Sequence, residues 1–203
     1  MIVGIDEAGR GPLAGAVTAC ALYFKRDPPF RVKDSKALSA AGREKVFLWL
    51  LENAQFSVEA ASVSEIDKFN ILEATFLAFN RAIKSLLKKS PQLKQAKFII
   101  DGNIFRTDLA LDYQCVKEAD QHIAEVACAS IIAKVARDHL MRTLDFLYPV
   151  WNFSKHKGYP TREHFSLIKK HKLSPFHRKS FSPCCRGGVY PAQKGQPQGS
   201  PLQ

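Results

Sequence analysis

The chain opens on an apolar run that stops on two acids, and no other stretch restricts its folding as much. Ile2, Val3 and Ile5 read as a buried strand, Asp6 and Glu7 end it, and Gly9-Arg10-Gly11, Pro12 and Gly15 follow at once. Carboxylates at the end of a core strand are costly unless something takes up their charge. Two acids beside a glycine-bracketed arginine can hold a hard cation on one side and a phosphodiester on the other. The segment predicts metal-assisted phosphoryl chemistry.

Further along, residues 2–6 and 14–24 read as two strands joined by the glycine-rich turn, the second rich in small and β-branched residues. Ser39 is a plausible N-cap for a helix over 40–53, and 56–62 alternates like a third strand. Ser64 is a candidate cap for a short turn. Helical periodicity then runs over 71–87 through Leu72, Phe76, Phe79, Ile83 and Leu86, with Pro91 ending it. Phe98-Ile99-Ile100 is a short buried strand that also ends on an acid, Asp101. Residues 113–116 form a fifth strand, followed by Glu118 and Asp120; a long helix is expected over 122–147 and a basic one over 162–172. This order predicts a mixed-sheet α/β domain with a helical C-terminal region. It spans 1–186, and the Gly-, Pro- and Gln-rich stretch 187–203 is expected to be a disordered tail.

Asp6, Glu7, Asp101 and Asp120 each follow an apolar stretch, so this topology can gather them. At neutral pH four carboxylates repel one another, and a divalent cation removes that repulsion. All-oxygen ligands favour Mg²⁺ or Mn²⁺ over zinc. Zinc is not expected at His156, His164, His171, His177 and Cys184-Cys185, whose spacings match no usual ligand pattern. Cys20, Cys115 and Cys128 read as small core residues, and the odd count of five cysteines suits reduced thiols in the cytosol. No basic-then-apolar signal opens the chain, and no run is long enough to span a membrane. Of the net charge of +11, residues 151–203 carry +9, with ten Lys and Arg against Glu163 alone. That asymmetry suggests a polyanionic partner.

These residues resemble a known family. GIDEAGRGPLAGAV at 4–17 is similar to the signature of ribonuclease HII, and the likeness continues through KDSK at 33–36, FIIDGN at 98–103, ASIIAKVARD at 129–138 and HKGYPT at 156–161. The resemblance implies a ribonuclease H-like fold, a five-stranded mixed sheet flanked by helices, with a C-terminal helical extension. It implies a metal-dependent endonuclease that cuts the RNA strand of RNA–DNA hybrids and single ribonucleotides embedded in duplex DNA. Cleavage on the 5′ side, leaving 3′-hydroxyl and 5′-phosphate ends, is implied too.

By the same resemblance Asp6, Glu7, Asp101 and Asp120 are the catalytic acids and the ligands of Mn²⁺ or Mg²⁺. Asp120 is fixed by its distance to Ser130. Gly9, Arg10 and Gly11 match the tripeptide that contacts the ribonucleotide, and Tyr159 the tyrosine that packs on the adjacent deoxyribose. Lys36 and Lys157 are expected phosphate contacts, with Arg178 and Lys179 beside them. Lys117-Glu118-Ala119 departs from the family pattern, and Glu118 adds a negative charge before Asp120. The expected partners are nucleic acid, with no membrane; the chain is expected to be a monomer, and no protein partner is legible. The rival readings are a non-enzymatic nucleic-acid-binding module and a nuclease of the same fold acting on DNA junctions.

Overall fold

The computed structural model describes residues 1–26, 28 and 39–186. The KDSK motif with Lys36, and the tail from 187 onward, lie outside the described residues.

The strands are β1 (Ile2–Ala8), β2 (Val17–Phe24), β3 (Ala54–Ala61), β4 (Lys97–Asp101) and β5 (Asp112–Val116). They form one sheet in the order β3-β2-β1-β4-β5. β1 runs antiparallel to β2 and parallel to β4, and β4 runs parallel to β5. The mixed five-stranded sheet is therefore as expected. Helix α1 (Ala40–Asn53) precedes β3; α2 (Val63–Phe69) and α3 (Ile71–Lys89) connect it to β4. After β5 come the long α4 (Ala124–Leu147), then α5 (Phe153–His156) and α6 (Arg162–His171).

Alternation along the strands builds two cores. Ala19 and Ala21 of β2 join Val3, Ile5, Phe98 and Ile100 beneath Phe76, Phe79, Ile83 and Leu86 of α3. Cys20 and Leu22 point the other way, onto Leu50 of α1 and Cys128, Ala129, Ile132 and Ala133 of α4. Cys115 is only partly buried, since β5 is an edge strand. No helix among the described residues is long and apolar enough to cross a membrane.

Three local expectations change: β1 does not stop on Asp6 and Glu7 but runs on, paired with β2, to Ala8. β2 starts at Val17, because residues 13–15 pair with the C-terminal segment instead. Leu13 donates its N–H to Gly158 O, Gly15 to Phe176 O, and Ala14 bridges His177. The cap before β4's helices is Ser62 rather than Ser64. Glu65, three residues on, reaches back to the Ser62 amide at 2.8 Å and completes a capping box. Asp67, three residues after Ser64, is engaged elsewhere: it accepts the amides of Lys179 and Ser180 and ties α2 to the C-terminal segment.

Candidate active site

Asp101 closes β4, and Asp6 lies near the end of the adjacent parallel strand β1, two residues before its last residue Ala8. The β1–β4 register pairs Ile5 with Ile100, so its next step sets Asp6 beside Asp101. Gly4 and Asp6 share the face that α4 covers, by the two-residue period of a strand. Asp6 is buried, takes the Glu7 N–H at 2.7 Å, and is hydrogen-bonded by the Ser130 side chain of α4. Burial, then the charges of Glu7 and Asp101, hold the Asp6 carboxyl well above the usual range. Burial also raises Glu7; Arg10 opposes that shift and Asp101 adds to it.

Asp101 accepts the Ala119 N–H at 2.7 Å, which anchors the 3-10 turn Ala119–Gln121 over the end of β4. Asp120, in that turn, is buried, and Glu118 before it is exposed with left-handed backbone, φ 55°. Among the described residues no group of three or more His, Cys, Asp or Glu is already arranged to hold a metal ion. The donors still fit a hard divalent cation. The charges of Glu7 and Asp101 raise the proton affinity of Asp6, Asp101 also raises that of Glu7, and a cation among these oxygens would relieve that repulsion.

The loop after β1 is held by two fully buried arginines. Arg178 donates from Nε to Gly15 O at 2.9 Å, from Nη1 to Arg10 O at 2.8 Å and from Nη2 to Gly9 O at 2.6 Å. Arg137 of α4 donates to Ala16 O, Lys157 O and Ala14 O at 2.9–3.2 Å. Burial and the neighbouring Arg137 charge lower Arg178 to about 9. Gly9 sits at φ 102°, and a Cβ there would come within 2.1 Å of Arg137 Nε, so no other residue fits. Arg10 itself is exposed, and its guanidinium stands 3.5 Å from Glu7 Oε1. Gly11 faces open space.

Arg178 is thus not placed as a phosphate contact: it is fully buried, and each of its three nitrogens donates to a backbone carbonyl. The Lys179 side chain is exposed, while its amide serves Asp67. Lys157 is half-buried and donates to Ser154 O, and burial lowers its pKa. Tyr159 is 39% exposed, with Lys134 Nζ and the Arg137 guanidinium each within 6 Å of its ring centre, at 5.6 and 5.7 Å.

Beneath Tyr159 lies a chain of three buried histidines, for which spacing gave no role. Ser174 N–H donates to His177 Nδ1, so the His177 proton is on Nε2. That N–H donates to His164 Nε2 at 3.0 Å, which leaves His164 Nδ1–H to donate to Tyr159 O at 2.9 Å. Gly158 N–H donates to His156 Nδ1, and His156 Nε2–H to Trp151 O. The His156 and His164 rings stack 4.0 Å apart.

Burial favours the neutral form of each ring. Burial lowers His164 to about 3 and His177 to about 4, and lowers His156 as well. An unfolded histidine takes its proton near pH 6.5. Between there and pH 4 the unfolded chain binds more protons than the folded one. Stability is therefore complete above pH 6.5 and falls as the pH drops, by about 1.4 kcal/mol per pH unit for each of His164 and His177. Asp6 and Glu7 shift the opposite way and subtract from this slope. Thermal unfolding at pH 7.5 and 5.0 tests it: the melting temperature falls at pH 5.0, and a flat profile would contradict neutral rings.

Ser130, Arg137, His164 and His177 hold the candidate site residues in ways that motif reading missed, and Arg178, expected at a phosphate, holds the loop instead. Only the Asp120–Ser130 spacing hinted at Ser130. Arg137 and Arg178 act mostly on backbone atoms more than a hundred residues away, and His164 and His177 on each other, so they leave no local pattern.

The ribonuclease HII family model matches residues 3–184. A ribonuclease HII of Acinetobacter baylyi is 43% identical over 188 residues, covering 92% of this chain and 97% of that one. Among solved structures, the ribonuclease H2 of Pyrococcus horikoshii superposes with a TM-score of 0.76 at 25% identity, over 92% of this chain and 96% of the other. Bst-RNase HIII, solved in complex with Mn²⁺, shares the fold with a TM-score of 0.74 at 19% identity, over 92% and 68%. A matched opening motif, a shared sheet and this extent of identity lead to one conclusion: the chain belongs to the ribonuclease HII family, whose members are metal-dependent nucleases of ribonuclease H type 2.

Proposed function

We propose that this chain cleaves the RNA strand of RNA–DNA hybrids, and single ribonucleotides embedded in duplex DNA. Cleavage falls on the 5′ side of the ribonucleotide and leaves 3′-hydroxyl and 5′-phosphate ends. Asp6, Glu7, Asp101 and Asp120 are the acids that hold Mn²⁺ or Mg²⁺. The observation that carries this reading is the β1–β4 register, which sets Asp6 next to Asp101, with the charges of Glu7 and Asp101 both acting on Asp6. The complex of Bst-RNase HIII with Mn²⁺ supports the choice of ion class. Bound at these oxygens, divalent cations supply a lowered water pKa and stabilise the leaving 3′ oxygen.

The chain's own residues do the rest. Ser130 and the Glu7 amide orient the Asp6 carboxylate. Arg10, exposed next to Glu7, forks onto a phosphate. Gly9 and Gly11 let backbone approach the ribose, and the 2′-hydroxyl is the group that marks it as RNA. The exposed ring of Tyr159 packs on the neighbouring deoxyribose. Lys157 has two N–H donors beyond the one given to Ser154, and with Lys36 it contacts the backbone phosphates. Free thiols at all five cysteines suit a cytoplasmic home, and we take the chain to act as a monomer.

Three duplexes test the activity: one with a single ribonucleotide, a uniform RNA–DNA hybrid and an all-DNA control, each with Mn²⁺, Mg²⁺ or a chelator. The first two are cut only with metal and the third stays intact. Binding without cleavage would favour the non-enzymatic module, and cutting of the all-DNA duplex would favour a junction nuclease.

A further inference from the structure

Granting that Gly9–Gly11 and Tyr159 read the substrate, we propose that His177 and Arg178 are positioning residues that lock these two reading elements into one unit. The elements lie about 150 positions apart in the chain, so their mutual placement has to be built by tertiary contacts. Two adjacent residues build it. The Arg178 fork takes the carbonyls of Gly9, Arg10 and Gly15. The His177 ring donates to His164, and His164 donates to the Tyr159 carbonyl. Their backbone is pinned at the same place, since Arg178 N–H donates to Leu13 O and His177 bridges Ala14.

The whole path is fixed. His164, His177 and Arg178 are fully buried, and Ser174 sets the His177 tautomer. Burying a guanidinium is costly. Here that charge sits on three carbonyls of the loop that touches the ribose, and the same dipeptide reaches the residue that touches the next sugar. A group that holds the contacting residues at productive geometry affects rate without touching substrate.

Such a device has a signature that plain stability does not. At an embedded ribonucleotide both elements engage, the loop on the ribose and Tyr159 on the deoxyribose beside it. Inside a uniform RNA strand no deoxyribose follows, and the link between them matters less. His177→Phe keeps a ring but loses the N–H toward His164. It should lower kcat/KM on the single-ribonucleotide duplex about 10-fold more than on the uniform hybrid, mainly in kcat. His177→Gln restores an N–H at that reach and should recover most of the loss. Arg178→Lys keeps the charge without the fork and should move the same ratio.

The experiment measures kcat and KM on both duplexes for wild type, Tyr159→Ala, His177→Phe, His177→Gln and Arg178→Lys, with melting temperatures alongside. If Tyr159→Ala moves the substrate ratio while His177→Phe and Arg178→Lys lower both substrates equally, the link is overturned and the two residues are merely structural. If Tyr159→Ala itself leaves the ratio unchanged, the reading of Tyr159 fails and the link falls with it. One readout needs neither turnover nor a folded variant. Long-range ¹H–¹⁵N spectra of the wild type at pH 7 should report His177 as the Nε2–H tautomer and His164 as Nδ1–H. Opposite tautomers, or an imidazolium at either ring, would break the path.

Discussion

Asp6→Asn yields a folded chain that cleaves an embedded ribonucleotide about 10³-fold more slowly, or worse. The amide keeps the shape of the side chain and an oxygen for the Glu7 N–H and Ser130. It removes the charge that faces Glu7 and Asp101. Losing several kcal/mol of transition-state stabilisation from an ion held at this oxygen corresponds to about three powers of ten in rate. Stability moves the other way. A buried carboxylate pressed by two like charges costs the fold, so its neutral replacement raises the melting temperature. Single-turnover rates and thermal unfolding measured on one preparation check both directions. A variant with near wild-type turnover in Mg²⁺, or one less stable than wild type, would contradict the role given to Asp6.

The second large effect comes from a residue with no functional group. A Cβ on Gly4 would lie 2.2 Å from the Glu125 carbonyl carbon and 2.3 Å from the Val126 nitrogen, both backbone atoms of α4. No rotamer change relieves that contact, so α4 has to shift off β1. This helix carries Ser130 onto Asp6 and Arg137 onto the loop. Gly4→Ala should therefore cost about 3 kcal/mol of stability, as overpacking in a tight core does. For a chain of this size that is a fall of roughly 10 °C in melting temperature. Activity should drop even where the variant is folded, because Asp6 loses its orientation. Urea unfolding within 0.5 kcal/mol of wild type would refute the close approach; for comparison, ordinary surface changes stay within about that range.

The sheet was legible because its strands announce themselves. Short apolar runs end on Asp6 and Asp101, and the order of elements admits a mixed sheet with β1 and β4 adjacent. The opening motif alone marks the acids and the glycine loop as candidates. What sequence could not show is which distant groups hold these residues. Arg178 looks like one more cation in a basic region beside Lys179, yet burial and three carbonyls make it part of the loop. His164 and His177 looked like an unpromising zinc pattern, and they form instead a neutral hydrogen-bonded path under Tyr159. Ser64 lost the helix cap to Ser62 because the second half of a capping box, Glu65, fits only the earlier serine. In each case the deciding partner lies far along the chain or depends on backbone geometry, which local patterns do not encode.

The most direct test of the account is where Mn²⁺ binds. Anomalous scattering from crystals soaked in Mn²⁺ should place density between the carboxylates of Asp6 and Asp101, within reach of Glu7 and Asp120, and Asp6→Asn should lose it. Density elsewhere on the chain, with none at the ends of β1 and β4, would contradict the metal site and the hydrolysis built on it.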